Sequence, residues 1–173
     1  DMTIIFEQNK LGRFVAVALV LISVAQTVYF HPKLQPQVAS HFNLMMQPDK
    51  WSSKNSVMAF HLGITFGTAV LLYFLSWIIG KLPPAWLNLP NKHYWLSSER
   101  KRQTITTLAT FLIWLGNVVL LFLIVTFNLI YQANLISGQK IKNFWVALVL
   151  FLVTIGFMIY HLFKHFGTVA GSR

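Results

Sequence analysis

The chain alternates apolar runs with polar segments, and the run lengths decide the reading. Apolar residues occupy about 14–30, 57–80, 104–131 and 144–163, separated by polar stretches that carry nearly all the prolines and charges. A hydrocarbon core of about 30 Å needs about 20 apolar residues in a helix. The first run, FVAVALVLISVAQTVYF, has 17 residues and sits at the short edge of that requirement. The third, near 28 residues, is longer than needed and is expected to tilt or project from the lipid. Lys10 and Arg13 ahead of an apolar run also fit a signal peptide, with Val38-Ala39-Ser40 as a cleavage site. That site lies too far beyond the apolar core, so a retained helix is expected. The pattern therefore predicts an all-α membrane protein, a single polytopic domain over 1–173. It has four transmembrane helices and an ordered extracytoplasmic loop between the first two.

Local signals sharpen the boundaries. Lys81 and the Pro83-Pro84 pair end the second helix, because proline lacks the amide donor and clashes with the preceding turn. Ser53 or Asn55 is placed to cap its start. Trp86, Tyr94 and Trp95 suggest that 82–103 lies along a membrane surface. Ser97 or Ser98 is placed to cap the third helix, with Glu99 in its first turn. A turn is expected over 132–143, centred on Ser137-Gly138.

Composition agrees. The chain is 55% hydrophobic and 10% charged, against about 25% charged for soluble domains. The net charge of +10 would suit nucleic acid, but no basic-aromatic module is present, and topology-setting flanks explain it. Nine of the Lys and Arg residues (10, 13, 81, 92, 100, 101, 102, 164, 173) fall on one side of the alternation and five (33, 50, 54, 140, 142) on the other. The positive-inside rule then puts both termini in the cytoplasm and the loop 31–56 outside. Arg100-Lys101-Arg102 could in addition hold anionic head groups. Cysteine is absent, which removes disulfides and thiolate chemistry.

Helices in lipid associate through small residues and polar side chains. Gly63 and Gly67 form a GxxxG spacing that predicts a close helix contact. Gln26 shares a face with Ser23 and Thr27, and Asn117 aligns with Asn128 three turns away. These read as interhelical hydrogen bonds rather than a transport path, because no Asp, Glu, Lys or Arg lies deep in a run. A transporter component is the reading this disfavours. His61, near the start of the second run, is expected to be a loop-facing residue.

The loop 31–56 does not explain itself as a membrane helix. It carries His41, Phe42, Asn43, Asp49, Trp51, Ser53 and Lys54 in close succession. His41 and Asp49 with His31 or His61 supply zinc-ligand types, although the spacing matches no established zinc motif. Asp49, His41 and Ser53 are the residue types of a hydrolytic triad, without an oxyanion hole or nucleophile elbow. A third reading is a rigid lid in which Asp49 pairs with Lys54 and His41 and Asn43 bond the backbone.

The stretch Pro36-x-Val38-Ala39-x-His41-Phe42-Asn43, followed by Pro48-Asp49-x-Trp51-x-Ser53-Lys54, resembles the DUF1648 family of bacterial membrane proteins, which includes SdpI-type immunity and signalling proteins. A second stretch, Asn88-Leu89-Pro90-Asn91-Lys92-x-Tyr94-Trp95 and then Glu99-Arg100, is similar to the segment after the second helix in that family. The resemblance covers about 14–103. Met46 stands where the family usually has glycine, and Ala39 where it has proline. The resemblance implies a bacterial membrane protein, with immunity or signalling as the role of its better-known relatives. The leading expectation is a non-enzymatic inner-membrane protein, without a cofactor, that presents the outer loop to a peptide or partner membrane protein. The rival is a small membrane enzyme or metal-dependent protein using His41 and Asp49.

Overall fold

The computed structural model describes residues 9–136 and 139–168; the expected turn centre Ser137-Gly138 lies outside them. Four long helices are apolar enough to cross a membrane: α1 (Lys10–Phe30), α2 (Lys54–Ile78), α4 (Lys101–Leu135) and α5 (Phe144–Gly167). A short helix, α3 (Lys92–Trp95), lies between α2 and α4. α4 packs against each of the other long helices, and α1 also meets α2, so α1, α2 and α4 form the core and α5 flanks it on α4. None of the apolar stretch of α5 is buried within the chain. Lipid is the solvent that such a helix suits.

The loop between α1 and α2 is not a coil with helical turns only. It contains an antiparallel hairpin, β1 (Gln37–Phe42) and β2 (Pro48–Ser53), so the all-helical expectation is corrected at this point. Pro32 ends α1 through a short 3-10 turn at His31–Lys33, and the chain then extends into β1. Val38 pairs with Ser52 and Ala39 with Trp51, and a bulge follows near His41. Val38 and Ala39 are both buried in β1, and Val38, at 2% exposure, joins Phe30, Leu34, Val57, Met58, Phe127 and Tyr131 in a core at this end of the bundle. Ser53 caps α2 by accepting the Ser56 N–H at 3.1 Å.

The turn of the hairpin uses Met46 in the left-handed region, φ 58°. Asn43 makes this tolerable. Its Oδ1 accepts from the Met45 and Gln47 amides at 2.9 and 3.0 Å, and its own backbone exchanges bonds with Gln47 and Met46. Asparagine that ties its own turn in this way is a familiar turn-former.

Helix boundaries differ from expectation by a few residues at several ends: α1 starts at Lys10 rather than 14, and α5 ends at Gly167 rather than 163. α2 starts at Lys54 rather than Val57, and α4 runs from Lys101 to Leu135 rather than 104–131. Neither Ser97 nor Ser98 caps α4. The Ser97 carbonyl accepts from Arg100 and Lys101 instead, which turns the chain and delays the helix, and the Ser97 hydroxyl is buried without a partner.

The GxxxG spacing does not mark a helix contact. A Cβ built at Gly63 or Gly67 meets nothing within 4 Å. Close approach occurs at Gly12, where a Cβ would lie 2.7 Å from Ile113, and at Gly116, 3.3 Å from Leu72. Both sit on faces turned to a neighbouring helix, whereas Gly63 and Gly67 are exposed.

Candidate functional site

The hairpin is held to the bundle by contacts at three places. Asn134, at the end of α4, pairs with both backbone groups of Ala39. Its Oδ1 accepts the Ala39 N–H at 2.6 Å and its Nδ2 donates to the Ala39 carbonyl at 3.1 Å. The side chain thus takes the place of a third strand beside β1. The Lys54 ammonium donates to the carbonyls of His31 (2.9 Å) and Leu34 (3.2 Å), satisfying acceptors left where α1 ends. The Ile141 amide, before α5, donates to the Met46 carbonyl at 2.9 Å. Asn134 and Ile141 carry no signal in the local sequence pattern that links them to the hairpin.

With those residues fixed, the expected site divides. Asn43, Ser53 and Lys54 are engaged by the fold itself. Phe42 is half-buried. His41, Asp49 and Trp51 remain on the exposed surface. His41 Nδ1–H donates to Asp49 Oδ1, so Asp49 pairs with His41 and not with Lys54. The hairpin tip adds Leu44 and Met45, exposed at 83% and 75%, which the sequence reading passed over. Two adjacent apolar residues inside a polar loop were the available signal.

The pairing of Ala39 with Asn134 has a geometric consequence for β2. In an antiparallel pair, residues alternate between bonding each other and pointing both backbone groups away. Ala39 directs its groups to Asn134, so its partner Trp51 directs its N–H and C=O away from β1. The outer edge of β2 therefore offers a donor and an acceptor beside an exposed indole.

Neither chemical alternative is assembled. Among the described residues no group of three His, Cys, Asp or Glu side chains is placed to hold a metal ion. His31 is bonded to Asn55 at 3.1 Å. The Ser53 hydroxyl lies against Ser56 at 2.8 Å and caps α2, so it does not join His41 and Asp49 as a nucleophile.

His61 is not loop-facing. It is fully buried, because α2 begins at Lys54 and places it two turns inside the helix. Its Nε2 meets Ser23 Oγ at 2.8 Å and its Nδ1 meets Tyr131 OH at 2.9 Å and Thr27 Oγ1 at 3.3 Å. The ring stacks on Phe127 with centroids 4.0 Å apart. One imidazole thus joins α1, α2 and α4 directly beneath the hairpin. Ser23, Thr27 and His61 were legible as polar residues on helical faces; Tyr131 was not, since it reads as an aromatic helix end.

Gln26 and Asn117 also bond across helices, to the carbonyls of Ile124 (3.1 Å) and Gly12 (2.8 Å). Asn128 does not reach another helix. It accepts from Gln132 one turn away at 2.6 Å and lines a surface groove that Asn117 does not share.

The second motif gathers at the far end of the bundle. Asn91, in the left-handed region at φ 50°, begins α3. Its Nδ2 donates to the carbonyls of Phe166 and Gly167, both at 3.0 Å, and Trp95 Nε1 donates to Phe166 at 2.8 Å. Arg100 stacks on Tyr94 with its guanidinium 4.1 Å from the ring centre. Asn88 and Pro90 line an apolar pocket of about 340 Å³ with Trp86, Leu108 and Phe166. This motif clamps the end of α5.

Comparison with family models, curated proteins and solved structures finds no match to this chain.

Proposed function

We propose that this chain is a non-enzymatic integral membrane protein that recognises a peptide or a partner membrane protein through its hairpin. The supporting observation is the contrast within that element. Its inner face is locked to α1, α2 and α4 through Val38, Ala39 and Lys54, while Leu44, Met45, Trp51 and the His41–Asp49 pair stay exposed. A rigid platform with an exposed aromatic is suited to binding, since little ordering remains to oppose association. The outward backbone groups of Trp51 suit an added strand, a recurring mode of peptide capture.

The motif resemblance supports placing the chain in the DUF1648 family, with immunity or signalling as the role. The same resemblance implies a bacterial inner membrane, and the distribution of Lys and Arg supports both termini in the cytoplasm with the hairpin outside. The rival reading, a metal-dependent enzyme at His41 and Asp49, keeps that pair in contact but lacks a third ligand among the described residues.

The test is photo-crosslinking in native membranes, with the reactive residue at position 44. A probe at Val153, on the lipid-exposed face of α5, reports background. A peptide or protein captured at position 44, absent at 153 and lost in His41→Ala/Trp51→Ala at unchanged melting temperature, supports the reading. The same background at both positions overturns it.

A further inference from the structure

We infer that the ligand of the hairpin is an acidic peptide, bound in extended form along the outer edge of β2. The inference rests on the reading above and adds the chemistry of the partner. Its first support is the backbone. Trp51 turns its N–H and C=O away from β1, and its indole is 53% exposed. Backbone groups left open at a sheet edge are completed by another backbone. An antiparallel peptide exchanges both bonds with the one residue opposite Trp51. Its next residue faces Lys50, and the peptide then runs toward the hairpin turn.

The second support is charge. The segments 31–56 and 132–143 hold five lysines (33, 50, 54, 140, 142) and one carboxylate, Asp49. Three of these cations and the carboxylate differ in what they already meet. Asp49 is taken by His41, Lys54 by the carbonyls of His31 and Leu34, and Lys33 by the Tyr29 ring at 3.1 Å. Lys50, Lys140 and Lys142 are exposed, and no carboxylate lies within ion-pairing distance of them among the described residues. Lys50 stands next to Trp51 on the edge strand itself. Lys140 and Lys142 flank Ile141, whose amide is bonded to Met46 in the hairpin turn at 2.9 Å. Positive charge therefore continues from the open backbone groups to the turn, a path of about 16 Å at about 3.3 Å per residue. Opposite charges facing each other across two strands attract, and like charges repel. A peptide with a carboxylate opposite Lys50 and further acid toward the turn matches this edge. A second copy of the chain would bring the same lysines and meet repulsion.

The experiment is selection from a displayed library of random peptides of about twelve residues on the full chain in phosphatidylcholine nanodiscs. The expected pool is enriched in Asp and Glu. A synthetic peptide from it should bind Lys50→Glu about tenfold more weakly, since an attraction becomes a repulsion, and should regain affinity when one of its acids is exchanged for lysine. Methylating one of its backbone amides should weaken binding as well, because the Trp51 carbonyl then lacks its donor. Lys101→Gln, at the other end of the bundle, should bind as wild type does. Lys50 is exposed and outside the core, so its replacement reads binding rather than folding. Equal affinity of Lys50→Glu and wild type would overturn the inference, because general positive charge would then hold the peptide. A pool without acidic bias whose binding is lost in Trp51→Ala would overturn the charge assignment and leave the hairpin reading standing. No enrichment over empty nanodiscs would overturn the peptide altogether, and the cross-link at position 44 would then decide the hairpin reading by itself.

Discussion

Asn117 on α4 donates to the carbonyl of Gly12 on α1 at 2.8 Å, and the Tyr73 hydroxyl of α2 donates to the same oxygen at 3.1 Å. Three helices meet at one backbone atom because residue 12 has no side chain to hold them apart. A polar junction of this kind contributes more than its bonds alone, since it also fixes the register of the helices around it.

The first prediction follows from that junction. Gly12→Ala places a methyl 2.7 Å from the Ile113 side chain, with the backbone held from two sides. Overpacking of this kind costs about 1–3 kcal/mol. Gly63→Ala fills open space and gains helix propensity, by up to about 1 kcal/mol. Thermal unfolding in detergent should show a lowered midpoint for Gly12→Ala and an unchanged or raised one for Gly63→Ala. A lowered midpoint for Gly63→Ala alone would restore the GxxxG contact.

A second prediction concerns the hairpin. Asn134→Leu removes the donor and the acceptor that face Ala39, at a cost of about 1–3 kcal/mol for the unpaired buried groups. The loss is local. Hydrogen exchange should accelerate over 37–53 while the amides of α1 and α2 keep their protection. Unchanged exchange at Ala39 would show that the side chain does not act as a strand substitute.

What was legible in the sequence followed from period and length. Four apolar runs and their prolines place the helices within a few residues, because the lipid core leaves backbone polar groups little choice. The hairpin was not legible. Its strands have only six residues each and no regular inside-outside alternation, and β1 is bonded to Asn134, nearly a hundred positions away. His61 was misplaced for a related reason: a start three residues earlier than expected moved it one turn deeper, from the edge to the core. The GxxxG spacing misled because glycine identifies a close approach only where a facing helix exists, and that depends on helix rotation. Gly12, isolated between charged residues, gave no such pattern.

A third prediction tests whether His61 is a structural link. His61→Leu leaves Ser23, Thr27 and Tyr131 hydroxyls without their central partner, and should destabilise by about 1–3 kcal/mol or more. Adding Ser23→Ala removes one orphan at the same time. Residues sharing one network couple, so the double variant should lose less than the sum of the singles. The measurement is a double-mutant cycle by thermal unfolding. Strict additivity would indicate that the Ser23–His61 contact carries no weight.

The last prediction concerns the end of α5. The final four carbonyls of a helix lack intrahelical donors. Here Thr168 Oγ1 reaches those of Lys164 (3.2 Å) and His165 (3.1 Å), while Asn91 and Trp95 reach those of Phe166 and Gly167. Half of the cap is therefore supplied by the 88–95 motif, from a part of the chain more than seventy residues earlier. Trp95→Phe keeps an aromatic ring against His165 and Phe166 but removes the N–H; Asn91→Ala removes the donor shared by both carbonyls and the residue best suited to the left-handed backbone. Each should cost about 0.5–1.5 kcal/mol, as a typical hydrogen bond does, with Asn91→Ala the larger because of its backbone term. Exchange of the last turn of α5 should rise in both variants, while the start of α5 near Phe144 stays protected by its packing on α4. If both variants left that turn as protected as wild type, the motif would have to be stabilising its own segment rather than the helix it touches.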